Sequence, residues 1–303
     1  MGVRDWGQNS SQPQPHRPSP IARTTMLDLP LDSIPLAFLD FETTGLWPHR
    51  GDRVCEVALQ RVVGGVVEMS YTTLVNPQRA QSARSFAVNQ ISAEQLAHAP
   101  IFATIAGSLR AMLVDTVIVA HNAPFDLEFL HAELALAGQP PLRVLSIDTL
   151  VVARRLLPKR PSHSLAALAT ALGSPPPSHR AMDDVLALRV VFDAMIAQLA
   201  TLGITKLSDL LRYTRGLRPG DPEPLAPTLI AEALRNGKLL KIAYTSRNMP
   251  APIERLIRPI EITSENGVLF LRAYCYLRED LRAFVIAKMS VIEISDATAI
   301  GSE

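Results

Sequence analysis

A chain of 303 residues, 48% apolar and with a net charge of +1, is long enough for about two domains with cores of their own. Residues 31 to 200 carry 13 basic and 15 acidic side chains, and residues 225 to 303 carry 10 and 9. Binding of a polyanion through net charge alone is thereby excluded, so any nucleic-acid partner must be held by local contacts and bound metal.

In chain order, residues 1–30 are rich in Pro, Ser and Gln without an apolar run, which predicts a disordered tail and neither signal peptide nor anchor. Ile34 to Asp40 is an apolar strand ending on acids. Val54 to Val63 and Val66 to Val75 read as two more strands joined at Gly64-Gly65, a hairpin that makes the sheet mixed. Ser92 to Ala97 and Phe102 to Leu113 have helical spacing, Val117 to Ala120 is a short buried strand, and Pro124 to Leu136 is a helix with Gly138 beyond its end. Leu145 to Asp148 is a strand, followed by helices ending at Leu157, over Ser164 to Leu172, and over Ala181 to Leu199. The order βββαβαβαα predicts an α/β unit, a mixed sheet flanked by helices.

Four prolines and two glycines with three charges from Gly216 to Pro227 mark a boundary. Beyond it come a helix over Thr228 to Asn236, stopped by Gly237, and five β-rich runs: Leu239 to Thr245, Ile253 to Ile260, Val268 to Tyr276, Leu281 to Ile286 and Val291 to Ile294. Glu265-Asn266-Gly267 supplies a hairpin turn, and the short strands predict a small barrel. The domain reading is therefore a tail over 1–30, an α/β domain over 31–200, a helix and linker over 201–226, and a barrel over 227–298. No stretch approaches the roughly 18 apolar residues of a membrane helix. Cys55 and Cys275, far apart, form neither a disulfide framework nor a zinc spacing and fit a reducing cytoplasm.

Asp40 and Glu42 in LDFETTG stand two apart on a strand, so both carboxylates share one face and can hold a hard cation. Thr43, Thr44 and Gly45 follow, with hydroxyls and a side-chain-free backbone able to meet a phosphate or sugar. Asp126 in HNAPFD opens a helix directly after a buried strand; alone it would read as a helix-terminal acid. In SHRAMDD, His179 belongs to a Pro-rich loop and Asp184 to the first helical turn, a division suited to a general base beside a fixed metal ligand. Asp184 aligns with Leu188 and Val191 at helical spacing, whereas its rival Asp183 falls on the other side. Arg154, Arg155, Lys159 and Arg160 read either as a track for a single strand or as a solvated helix end.

LDFETTG, HNAPFD and HRAMDD, in that order, resemble the three motifs of the DEDDh, DnaQ-like 3′–5′ exonucleases over about residues 31–200. That family implies a ribonuclease H-like fold in which Asp40, Glu42, Asp126 and Asp184 bind two divalent cations, Mg²⁺ or Mn²⁺, and His179 deprotonates the attacking water. It also implies substrate contacts from Phe41, Thr43, Thr44, Gly45, His121, Asn122 and Phe125. Glu56 in VCEVAL and Leu165 in SLAAL match positions that look structural, and Asn89-Gln90-Ile91 stands where many relatives have His-Gly-Ile. The segments LLKIAYTSR, LFLRAYCYLRED and LRAFVIAKM resemble the WYL domain, a small Sm-like β-barrel. Its name-giving triplet reads Leu269-Phe270-Leu271, and Arg258, Arg272, Arg282 and Lys288 are its candidates for nucleic-acid contact. The resemblances together imply a cytoplasmic enzyme acting on single-stranded or frayed 3′ ends of DNA, or on RNA; the rival reading is a non-catalytic nucleic-acid-binding regulator that keeps the fold as scaffold, against which the retention of all five polar positions argues. The barrel would serve a polymerase or repair partner, self-association, or nucleic-acid binding, with no membrane partner.

Overall fold

This computed structural model describes residues 26–222, 227–246, 251–265 and 268–296. The first sheet runs in the order β3-β2-β1-β4-β5, with β1 Leu36–Thr43, β2 Val54–Val63, β3 Val66–Leu74, β4 Val117–Ala120 and β5 Leu145–Asp148. The β1–β2 and β2–β3 pairs are antiparallel, while β1–β4 and β4–β5 are parallel. Gly64 and Gly65, at φ 58° and 76°, let the β2–β3 hairpin close between Val63 and Val66 in the tight turn that the strand twist prefers.

Helices cover both faces. On one lie α3 Phe102–Leu113 and α4 Ala123–Leu136; on the other lie α5 Thr149–Leu156, α6 Leu165–Ala171, α7 Ala181–Ala200 and α8 Leu207–Thr214. Because β1 is buried on both faces, its alternate residues feed two cores. Ala37, Leu39 and Phe41 join α3 and α4, whereas Leu36 and Phe38 join α7. The Phe38 ring meets Phe192 edge-on with centroids 5.4 Å apart. That register places Asp40 and Glu42 at the far end of the Leu36–Phe38 row, beneath α7.

Two shorter helices, α1 Ala83–Asn89 and α2 Ala93–Ala97, follow β3. Sequence reading missed α1, although Ser82 caps it by accepting a hydrogen bond from the Ser85 N–H. The part of the N-terminal tail from Met26 on is also corrected. Met26 is only 3% exposed, the Leu29 N–H donates to the Met26 carbonyl at 3.2 Å, and Pro30 pairs with Lys206. The rest of that tail lies outside the described residues.

After α9 Thr228–Asn236, the second sheet runs β10-β6-β7-β8-β9, with β6 Leu239–Tyr244, β7 Ile253–Glu265, β8 Val268–Cys275, β9 Asp280–Val285 and β10 Met289–Ser295. All its pairs are antiparallel. The expected closed barrel is corrected to an open sheet. A 3₁₀ turn over Ile286–Lys288 carries the chain from β9 to the opposite edge, where β10 pairs with β6 and, among the described residues, not with β9. Ile230 and Ala233 of α9 fill the core that closure would otherwise cover. β7 and β8 pair up to Glu265 and Val268; Asn266 and Gly267, read as the turn, lie outside the described residues.

Candidate active site

The acid row begins on β1. Asp40 and Glu42 follow Phe38 on the face turned to α7, and a register shift sits immediately after Glu42. On β2 the direct cross-strand partner of Glu42 is Glu56, so two carboxylates lie side by side on one face. Glu56 is 4% exposed. It accepts from Arg180 Nη2 and Nε at 2.7 and 3.0 Å and from the Ala181 N–H at 3.1 Å. This fork is the bidentate geometry a guanidinium favours, and it fastens the start of α7 to the sheet next to the acid row.

The same fastening presents His179 and Asp184. His179 has φ 59° at the end of the Pro-rich loop and is exposed. Asp184, one turn into α7, is 9% exposed, and its Oδ1 is buried without a hydrogen-bond partner among the described residues. One ligand atom each from Glu42, His179 and Asp184 lie within 4.8 Å of one another. Asp183 points outward and accepts from the Ser178 hydroxyl. Asp126 approaches from the opposite side of the strand end. It lies in the first turn of α4, 3% exposed, and its Oδ1 accepts the Phe41 N–H at 3.2 Å.

Electrostatics mark this convergence. Asp40 is raised well above the usual carboxylate range, first by burial and then by the charges of Asp126, Asp184 and Glu42. Burial and the Asp184 charge push Glu42 up to about 8, against a hydrogen bond from Asn89. Burial takes Asp184 to about 6, opposed by His179, and Asp126 is also raised, chiefly by desolvation. Carboxylates that resist ionising together are stabilised by a shared cation. The lone Asp184 oxygen, with oxygen donors around it, fits a hard divalent cation.

The residues around the acids are held in place rather than loosely arranged. The Thr43 hydroxyl donates to the Gly45 carbonyl at 2.6 Å, and Thr44 Oγ1 accepts the Arg53 N–H at 3.0 Å. Gly45 serves a packing need that the sequence did not show: a Cβ there would lie 2.3 Å from Asp52 Oδ2, the atom that accepts the Trp47 N–H. His121 is part-buried, with Nδ1 2.9 Å from Thr149 Oγ1, and burial lowers its pKa. Asn122 takes φ 69° at the start of α4 and its N–H donates to Asp148 Oδ1. Phe125 packs against Phe129 with centroids 5.0 Å apart. Cys55 is buried beside Asn89 and its thiol is pushed up to about 12, so it stays protonated and structural.

Sequence reasoning did not single out Arg180 or pair it with Glu56. Its position between His179 and the start of α7 was the only local signal.

A mixed sheet with acids gathered at the carboxyl ends of its central parallel strands, the usual ligand edge of such sheets, defines the ribonuclease H-like class of fold. The exonuclease family model matches residues 37–192, and the chain belongs to that family. A second model, the WYL domain, matches residues 227–294. A DNA polymerase III subunit epsilon-like protein of Rhodobacter capsulatus is 34% identical over 63% of this chain and 28% of its own length. The DNA polymerase III subunit epsilon of Rickettsia prowazekii is 35% identical over 42% of this chain and 58% of its own. This chain thus spans less than two thirds of those relatives. Among solved structures, product-bound exonuclease I has a TM-score of 0.50 at 16% identity, covering 88% of this chain and 66% of that one. Exonuclease X in complex with 5′ overhanging duplex DNA has 0.46 at 26%, covering 58% and 98%. Proteins of this exonuclease fold depend on divalent metal.

Proposed function

We propose that the chain is a 3′–5′ exonuclease that releases 5′-mononucleotides from single-stranded or frayed 3′ ends of DNA. The observation that carries this reading is the convergence of four carboxylates and one histidine from a strand end, a helix opening and a loop-to-helix junction. In it Asp40, Glu42, Asp126 and Asp184 hold two divalent cations, with Mg²⁺ or Mn²⁺ favoured by the oxygen-rich donor set. Bound cations supply an acidified water and charge compensation at the scissile phosphate and the leaving 3′ oxygen. His179, exposed beside Glu42 and Asp184, takes the proton of the attacking water. Asn122, His121 and Phe125 line the approach of the terminal nucleotide, whereas Phe41 packs in the α3–α4 core at 4% exposure and the buried Thr43 and Thr44 hydroxyls are spent on Gly45 and Arg53, so these three support the loop and do not offer side chains to the substrate.

The test is Mg²⁺- or Mn²⁺-dependent release of mononucleotides from end-labelled single-stranded DNA and RNA, set beside Asp40→Ala and His179→Ala. Wild-type activity should fall at least about 100-fold in each variant. Equal inertness of all three chains on every substrate and metal sinks the proposal, and a stronger rate on RNA moves the substrate to RNA. The WYL domain serves substrate binding or a polymerase or repair partner in the cytoplasm. Removing residues 225 to 303 should preserve the chemistry while weakening binding or altering its length dependence.

A further inference from the structure

The two domains meet in a close joint. The Ser264 N–H of β7 donates to the Arg215 carbonyl at 2.6 Å, just beyond α8. Gly216, at φ 89°, makes the approach feasible, because a Cβ there would stand 1.7 Å from the Ser264 carbonyl oxygen. Beside the joint is a cleft of about 980 Å³, bounded by α5 and α8 on one side and by β7, β8 and β9 on the other. It lies at the upper end of the range for a single small-molecule site, about 300–1,000 Å³.

Arg154, Arg155, Arg218 and Arg272 line this cleft, against Asp221 and Glu265. Among the described residues, even with Glu261, which pairs with Arg272 at 2.5 Å, cations outnumber acids four to three. Arg155 has a side chain only 19% exposed; its Nε donates to the Thr214 carbonyl, and its carboxylate partner Glu265 is 4.0 Å away. Burial lowers its pKa despite Glu265 and Glu261, so those acids do not fully compensate its desolvation. Tyr213 and Phe270 present aromatic rings from the two sides. Lys159 and Arg160 of the same basic run do not line the cleft, and Arg160 instead donates to the Ala167 carbonyl. α5, which carries Arg154 and Arg155, is bonded at its start to the segment that leads to Asp126: His121 Nδ1 lies 2.9 Å from Thr149 Oγ1, and the Asn122 N–H donates to Asp148 Oδ1 at 3.0 Å.

We propose that this interdomain cleft receives the substrate strand upstream of the scissile 3′ end, with the four arginines on successive phosphates and Tyr213 and Phe270 as stacking faces for bases. Single strands are held in this way by cationic grooves interleaved with aromatics. The link of α5 to the His121–Asn122 segment, with arginines and an aromatic ring contributed from both domains, favours a strand of several phosphates over a free nucleotide. The assignment rests on the exonuclease reading.

The experiment compares kcat/KM on a trinucleotide and on a single strand of about 12 nucleotides, a length within known single-strand site sizes. Wild type is set beside Arg154→Gln/Arg218→Gln, which changes two exposed side chains, and Arg272→Gln on the sheet side, with urea midpoints checking the fold. The double variant should lose about tenfold of the preference for the longer strand. Its log KM should also depend less steeply on log salt, by about 1.4, since each phosphate contact contributes about 0.7 for a single strand. Arg272→Gln should lose part of the same preference. An unchanged length preference in all variants overturns the proposal. So does inhibition by added 5′-mononucleotide that disappears in the double variant while length preference persists, because the cleft would then serve a free nucleotide. If wild type releases nothing from either substrate, the exonuclease reading itself has failed.

Discussion

The Glu56–Arg180 pair connects the sheet to the loop that bears His179, and its worth depends on environment. Glu56 is almost fully buried, whereas the Arg180 side chain is 47% exposed. Removing the arginine leaves the carboxylate with only the Ala181 N–H. A cost of about 1–3 kcal/mol is expected for Arg180→Met, below that of breaking a fully buried pair, because solvent screens the guanidinium. Urea unfolding should record that loss, and turnover should fall more steeply than stability because His179 loses its anchor. Turnover equal to wild type at full folding would separate the pair from the site. Glu42 carries a pH signature of its own. Its folded pKa of about 8 lies above the ordinary 4.5, so its protonation stabilises the metal-free fold below 4.5 and that contribution is lost as pH rises through 8. Metal-free wild type should lose more stability between about pH 5 and pH 8 than Glu42→Gln does. Adding Mg²⁺ near neutral pH should narrow the gap and release protons. Parallel pH profiles for the two proteins would contradict the shift. At this scale much of the site was legible. A strand's period of two puts Asp40 and Glu42 together, and helical spacing from Leu188 and Val191 picks Asp184. Glu56 and Arg180 stand 124 positions apart, and nothing local announces that a buried acid on β2 will meet an arginine at the start of α7.

Among the elements, β1 and α7 carry the geometry, and the apolar half of their interface sets the register of the polar half. Leu188 is 1% exposed, one helical turn beyond Asp184 and one before Phe192. Leu188→Ala should destabilise the fold by about 2–5 kcal/mol, read from denaturant midpoints. A loss under about 1 kcal/mol would mean that α7 is held mainly by its polar end. Periodicity and caps made these elements readable: β4 and β5 match their apolar runs, and Gly237 stops α9 in a left-handed conformation. α1 escaped because its faces are mostly exposed, which leaves no amphipathic stripe. The open second sheet escaped for another reason. Whether edges meet depends on where a 3₁₀ turn sends the final strand, and short alternating runs fit a closed barrel equally well.

For the molecule as a whole, Gly216 and Gly220 form a natural pair of probes. Both have strongly positive φ, 89° and 88°, but only Gly216 faces a neighbour; a Cβ on Gly220 meets nothing within 4 Å. Alanine at either position should cost about 1–2 kcal/mol of backbone strain. Only Gly216→Ala should open the joint, which limited proteolysis or X-ray scattering would detect. Equal compactness in the two variants would mean that the domains are joined elsewhere.

The short pairing of Pro30 with Lys206, with Leu31 bonded to Thr205, has a topological consequence. The path into the first domain and the path out of its long helix run side by side at one seam, so the α/β domain is nearly a closed loop of chain. Its ends could be spliced there and reopened at the Gly64-Gly65 turn without moving an acid of the cleft. The order in which the chain is threaded is therefore separable from the arrangement that gathers Asp40, Glu42, Asp126 and Asp184.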